Sequence, residues 1–160
     1  GFAAWLASGL PVNKEAPVLL PSLYHADFYQ AEMVDVETIR NNLAANELVV
    51  LDARAPERFR GEVEPIDKVA GHIPGALNRP YSLNLENGRF RSPESLRRDF
   101  LGLLGKHPAS DTVLYCGSGV TACHNALALS IAGIEHWRLY APGWSGWVAD
   151  DANPIATGDA

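Results

Sequence analysis

The chain has 160 residues, enough for one domain with a buried core, and its 47% apolar content is ordinary for a globular protein. A formal net charge of −6, with no Lys/Arg cluster, argues against nucleic acid or an anionic membrane surface as a partner. No apolar run approaches the ~18–20 residues of a membrane span, no basic stretch leads into an apolar core as in a signal peptide, and the two cysteines do not make a disulfide-rich secreted scaffold. The expected setting is therefore reducing and cytoplasmic.

The first segment, "GFAAWLASGLPV", reads as the end of a helix that leaves through Gly9 and Pro11. Residues 12–34 mix Pro with polar residues and read as a linker lying on a surface. A compact pattern begins at Asp35, which is placed to cap a helix with Val36, Ile39, Leu43 and Ala44 on one face. "ELVVLDA" is a short apolar run ending in an acidic residue, the pattern of a buried strand feeding a loop. "GHIPGALNRP" is rich in turn residues, with a short strand at 76–78. In "SPESLRRDFLGLLGKH", Ser92 is the N-cap, Pro93 sits in the first turn, and Leu96, Phe100, Leu103 and Leu104 share a face. "DTVLYC" is a second buried strand, "VTACHNALALSIAG" a helix ended by Gly133, "HWRLYA" a third strand, and "GWSGWVADD" a short last helix. Strands alternate with helices, so the expected fold is α/β with a mainly parallel sheet. The opening "GFAAWLASGLPV" also echoes "GWSGWVADDANPI": Gly1 and Trp5 precede Gly143 and Trp147 by the same interval, which suits a duplicated unit.

The two cysteines lie in "LYCGSGVTAC", where a strand, a glycine-containing loop and a helix follow one another. The strand end places Cys116 at the edge of a sheet where open α/β folds bind ligands. Gly117 and Gly119 are expected to curl the backbone with positive φ and turn successive N–H groups inward, and the next helix aims its positive end at the same place. Such a cradle favours an anion, and the sulfur of Cys116 is the candidate, with its thiol acidity raised and Ser118 and Thr121 adding hydroxyls. The alternative is a Cys buried for packing alone; the glycines favour the nucleophile. Cys123, beside Ala122, Ala126 and Leu127, is expected to pack in the core, the alternative being a resolving thiol. The absence of a Cys-x-x-Cys pair and the scattering of the five histidines argue against a metal site. A phosphatase loop needs an arginine to close its ring, and Ala122, Cys123 and His124 follow Thr121 instead.

"YCGSGVTACHNALAL" resembles the active-site segment of the rhodanese-type sulfurtransferases, and "GHIPGALNRPY", "VVLDARAPERFRGE" and "LYAPGWSGW" are similar to their other motifs. The resemblance spans about residues 35–158. It implies a rhodanese-like fold, a mainly parallel central sheet flanked by helices on both faces, and a Cys116 persulfide that needs no cofactor. Many members are tandem. By that resemblance residues 1–11 are the remnant of the last helix of a preceding domain, residues 12–34 a linker and 35–158 the catalytic domain. Loops preferring thiosulfate carry basic residues after the cysteine, whereas Gly-Ser-Gly is the mercaptopyruvate type; "CGSGVT" is the second type. The resemblance makes Arg58 the substrate-binding arginine, its alternative being a surface ion pair with Glu57 or Glu62. Backbone groups of Gly117, Gly119, Val120 and Thr121 bind the sulfur, and Ser118 matches a proposed catalytic serine whose partners belong to the other domain. One departure weakens the donor assignment: Ile66 stands where a second arginine is common, with Lys68 nearby as a cation that lacks the planar fork. The implied acceptors are a thiol such as thioredoxin, or cyanide. Thiosulfate as donor, or a domain that binds or carries sulfur without turnover, are the alternatives. Asp52 and His72 are expected to be structural, and Trp144 to be core or a pocket wall.

Overall fold

The computed structural model describes residues 1–25 and 33–159. Four parallel strands form its sheet in the order β2-β1-β5-β6: β1 (Val49–Asp52), β2 (Leu77–Asn78), β5 (Thr112–Tyr115) and β6 (Arg138–Leu139). A separate antiparallel hairpin, β3 (Leu85–Glu86) and β4 (Arg89–Phe90), turns through Asn87 and Gly88, both at positive φ, as an Asn-Gly hairpin requires.

The two central strands, β1 and β5, are mainly apolar and buried because both faces are covered. On one face, Val49, Leu51 and Leu114 pack against α4 (Pro93–Leu104) and α5 (Val120–Ile131) through Leu96, Phe100, Ala122 and Leu129. On the other, Val50, Val113 and Tyr115 pack against Ile39 of α2 (Val36–Ala45), Phe59 of α3 (Pro56–Phe59), and Trp144 and Trp147 of α6 (Gly143–Trp147). The period-two alternation of β1 and β5 thus feeds two cores.

The capping expectations hold. Asp35 accepts from the Thr38 N–H at 2.9 Å, Ser92 accepts from the Ser95 N–H, and Gly133 follows α5 at φ 66. The face expected of α2 is narrower than its pattern: Ile39 is buried, but Leu43 and Ala44 are exposed, because only the first turns of the helix reach the sheet. α1 (Phe2–Ala7) buries no residue, and residues 12–25 are exposed and without regular structure. Residues 26–32 of the expected linker lie outside the described residues. Its last two residues belong to the domain: Met33 bridges to Leu139, and the Val34 N–H donates to the Leu139 carbonyl at 3.0 Å, covering the open edge of β6.

The chain passes from β1 outward to β2, then crosses back to β5 on the other side of β1. β1 and β5 are therefore the neighbours between which the strand order reverses, the place where parallel sheets open a crevice at their carboxyl ends.

Candidate active site

Two loops leave that reversal point. The one after β1 enters α3 and carries Arg58; the one after β5 is Cys116–Gly119 and enters α5. They meet around a cavity of about 180 Å³ lined by Arg58, Ile66, Asp67, Cys116, Gly117, Ser118, Val120, Thr121 and Ser145. Six of the seven residues expected from sequence thus share one cavity. The seventh, Gly119, is the N-cap of α5.

Cys116 is a free thiol, 2% exposed, with its side chain against the α5 core. Ahead of it, the N–H groups of Gly117, Ser118 and Gly119 donate no hydrogen bond among the described residues. They stand beside the unpaired first turn of a twelve-residue helix, so partial positive charge collects next to the sulfur. Only one of the two loop glycines has the expected conformation. Gly119 lies at φ 85, and a Cβ there would come 3.0 Å from the Ala141 carbonyl oxygen; Gly117 has no positive φ. A side chain at Gly117 would instead meet the guanidinium of Arg58, whose terminal nitrogens lie 3.8 Å from the Cβ position.

The loop is held from behind by α6, which sequence reasoning did not connect to the site. The Trp144 N–H donates to the Cys116 carbonyl at 2.7 Å and the Ser145 N–H to the Gly117 carbonyl at 3.0 Å. The first helical residues of α6 spend their free donors on these two carbonyls and so fix the strand-to-loop turn. Gly143, at φ 60, makes this approach possible: a Cβ would lie 2.5 Å from the Cys116 oxygen and 2.6 Å from the Gly117 oxygen. The repeated Gly-Trp pattern of "GWSGW" was the available signal. Trp144 itself is buried, donates to the Val69 carbonyl and does not line the cavity.

Arg58 pairs with neither Glu57 nor Glu62. Its Nη2 donates to Glu64 at 2.6 Å and its Nε to the same carboxylate at 3.3 Å, while Asp67 stands 3.6 Å from Nη2. Nη1 makes no hydrogen bond among the described residues. Glu64 also faces the buried Arg54 and accepts the N–H groups of Ile66 and Asp67. Burial pushes the Glu64 carboxyl up, but the hydrogen bonds from Arg58 and the two backbone N–H groups outweigh it and hold the group below the usual glutamate range. Arg54 is anchored in turn on Asp52 at 2.7 Å and the Gly71 carbonyl at 2.6 Å, with Trp144 4.8 Å beneath it. Asp52 therefore has the structural role expected of it. His72 has one too: its Nδ1 meets the Phe59 carbonyl at 2.7 Å and its ring stacks on Phe59.

Two further expectations are corrected. Cys123 is exposed, not in the core. The buried face of α5 runs through Ala122, Asn125, Ala126 and Leu129, and the helical period puts Cys123 on the outer side with Val120 and Leu127. Lys68 does not stand in for a second arginine; it pairs with Asp151 and lies outside the cavity lining, whereas Ile66 forms part of it. Glu64 and Asp67 were missed because nothing in "EVEPIDK" marks which of its acids turns inward. No group of three or more His, Cys, Asp or Glu among the described residues is arranged to hold a metal ion.

The family model of the rhodanese-like domain matches residues 35–150. The chain belongs to the rhodanese-like domain family. A Pseudomonas aeruginosa protein named a probable 3-mercaptopyruvate sulfurtransferase is 49% identical over 160 residues, 99% of this chain and 56% of the relative. The human 3-mercaptopyruvate sulfurtransferase is 36% identical over 92% of this chain and 50% of its own length. The crystal structure of Escherichia coli SseA, described as a 3-mercaptopyruvate sulfotransferase with the rhodanese fold, matches 90% of this chain and 54% of that one, at 31% identity and a TM-score of 0.73. This rhodanese-like chain thus spans about half the length of these relatives. No helix among the described residues is long and apolar enough to cross a membrane.

Proposed function

We propose that this rhodanese domain is a sulfurtransferase that moves a sulfane sulfur from 3-mercaptopyruvate, through a persulfide on Cys116, to a thiol acceptor or cyanide. The observation that carries the reading is the meeting, in one cavity, of the free Cys116 thiol, three unengaged loop N–H groups and the open Nη1 of Arg58.

Arg58 Nη1 donates to the donor's carboxylate, and Gly117, which has no side chain, leaves room beside it. The Cys116 thiolate attacks the donor sulfur and forms the S–S bond as the C–S bond breaks. Pyruvate departs as its enolate with the electron pair of that bond and takes a proton at carbon. The persulfide left on Cys116 is deprotonated at its outer sulfur and held by the N–H groups of Gly117, Ser118 and Gly119 and by the first turn of α5, at Val120 and Thr121. An acceptor thiolate then attacks the outer sulfur, and the Cys116 thiolate is released. Ser118 is the hydroxyl at the mouth that meets the donor during the first attack. A thiol such as that of thioredoxin is the acceptor class, and a reducing compartment suits a reaction that needs a free Cys116.

In the same reading residues 1–11 close a preceding rhodanese domain and residues 12–34 link it to this one. The longer relatives support this, as does α1, which buries nothing here. The test is mass spectrometry after incubation with donor. A gain of ~32 Da, one sulfur on the cysteine oxidation ladder, is expected on Cys116 and not in Cys116→Ser. No gain with mercaptopyruvate or thiosulfate, on this chain or on the full-length protein, overturns the proposal.

A further inference from the structure

Asp67 is a charged cavity residue whose placement the sulfur-transfer scheme does not use. Its side chain is 10% exposed, it lines the cavity, and its Oδ2 is buried without a hydrogen-bond partner. Buried polar atoms in folded proteins are nearly always satisfied, so an unpartnered carboxylate oxygen beside a reactive cysteine calls for a reason. Its neighbour supplies an ion pair but no hydrogen bond. Arg58 already makes two hydrogen bonds to Glu64, and it stands 3.6 Å from Asp67, beyond hydrogen-bond reach.

The charges around the donor follow from this. Among the described residues, Arg58 is the one cation lining the cavity, and it faces two carboxylates, Glu64 and Asp67. Lys68 pairs with Asp151 and lies outside the lining, and Ile66 contributes only apolar surface. Behind Arg58 the buried Arg54 pairs with both Glu64 and Asp52, so the linked ion pairs hold two cations against three carboxylates and leave one excess negative charge before Cys116 ionises. A donor bearing two negative charges loses about twice as much to this field as a donor bearing one, because the interaction scales with the donor's charge. The cradle of N–H groups offsets part of this for either donor, but it holds the transferred sulfur, which both donors share.

We propose that Asp67 is a specificity-determining residue: it acts as a charge filter that restricts the sulfur donor to species with at most one negative charge, such as mercaptopyruvate or the persulfide of an uncharged thiol, and disfavours dianions such as thiosulfate. The proposal rests on the reading of Cys116 and Arg58 as the sulfur-transfer site. It differs from a purely steric account in what it says of a neutral isostere. Asp67→Asn keeps the shape of the side chain and leaves the Asp67 backbone bond to Glu64 in place.

The test compares kcat/KM for thiosulfate and for mercaptopyruvate in the wild type, Asp67→Asn and Asp67→Glu. In Asp67→Asn both values rise, thiosulfate more, and the thiosulfate-to-mercaptopyruvate ratio increases roughly tenfold, the size expected for one unit charge a few ångströms away in a partly solvated site. Asp67→Glu, which keeps the charge, stays within threefold of the wild-type ratio. A second measurement needs no turnover. On a Cys116→Ser background, sulfate and pyruvate are titrated as dianion and monoanion by following the amide signals of residues 117–121. Adding Asp67→Asn tightens sulfate relative to pyruvate by roughly tenfold. A ratio unchanged within threefold in both measurements overturns the filter, as does an equal gain for both anions. If no donor forms a persulfide on the wild type, the sulfur-transfer reading falls, and the sulfate and pyruvate titrations still decide whether Asp67 filters charge.

Discussion

Replacing Gly143 by alanine is expected to disable the cysteine loop from a position that no substrate touches. The residue sits at φ 60, where an L side chain costs about 1–2 kcal/mol. The added Cβ would also lie 2.5 Å from the Cys116 oxygen, 2.6 Å from the Gly117 oxygen and 2.9 Å from the Gly117 carbonyl carbon, all backbone atoms without a rotamer to yield. Either α6 or the loop has to move. Such a shift costs about 1–3 kcal/mol in a packed interior, and it strains the 2.7 Å and 3.0 Å bonds from the Trp144 and Ser145 N–H groups, each worth about 0.5–1.5 kcal/mol. The expected loss is therefore about 3–8 kcal/mol, or a Tm lower by roughly 6–32 °C at ~2–4 °C per kcal/mol. Gly75 is the control. It has φ 79 and nothing within 4 Å of its Cβ position, so Gly75→Ala should cost only the conformational ~1–2 kcal/mol. The assay pairs urea or thermal denaturation with the rate of persulfide formation on Cys116. If Gly143→Ala matches Gly75→Ala in stability and forms the persulfide at the wild-type rate, then α6 does not hold the loop and this account of the site is wrong.

Two further outcomes are expected. Arg58→Lys keeps the charge but loses the fork that lets one edge bind Glu64 while Nη1 stays open; the KM for mercaptopyruvate should rise roughly tenfold to a hundredfold, the worth of one charge-assisted hydrogen bond, and an unchanged KM would remove Arg58 as the donor's handle. Burial depresses the His72 imidazole below its ordinary value, and the Arg54 charge pushes the same way, against the Phe59 carbonyl and Asp52. The unfolded chain therefore binds this proton first as pH falls, and the His72 contribution to stability is complete above about pH 6.5 and is lost below it. An NMR titration midpoint for His72 at or above 6.5 would refute this.

The fold was legible because its signals are local. Asp35 and Ser92 cap their helices, and the "ELVVLDA" and "DTVLYC" runs mark the two central strands. The cysteine loop was legible for the same reason: Cys116, Gly119 and the start of α5 are consecutive in the chain. What could not be read depends on pairings between distant segments. Whether Arg58 meets Glu62 or Glu64 depends on how the loop after α3 folds back, and the two acids differ in sequence only by one intervening valine. Cys123 was misplaced because α5 is apolar nearly all round, so composition did not show which side meets the sheet. The clamp on Cys116 and Gly117 joins residues more than twenty positions apart through main-chain atoms, which leave no trace in the sequence beyond the glycine that permits the approach.

These features bear on why the cradle is built from backbone. Arg54 and Arg58 against Asp52, Glu64 and Asp67 leave one excess negative charge beside the cavity, so side chains alone would oppose a thiolate at Cys116 and a persulfide anion after it. The compensation comes from dipoles: three unengaged N–H groups at Gly117, Ser118 and Gly119 and the start of α5. Dipoles of this kind act over a few ångströms and favour the transferred sulfur, while the field of the excess carboxylate charge reaches further and acts on the donor's total charge. Stabilising the intermediate and selecting the donor can then be separate properties of the same cavity. That separation requires the loop to stay fixed, since a donor N–H that rotates away leaves only the carboxylates, and the two hydrogen bonds from α6, with Gly143 beneath them, supply that rigidity.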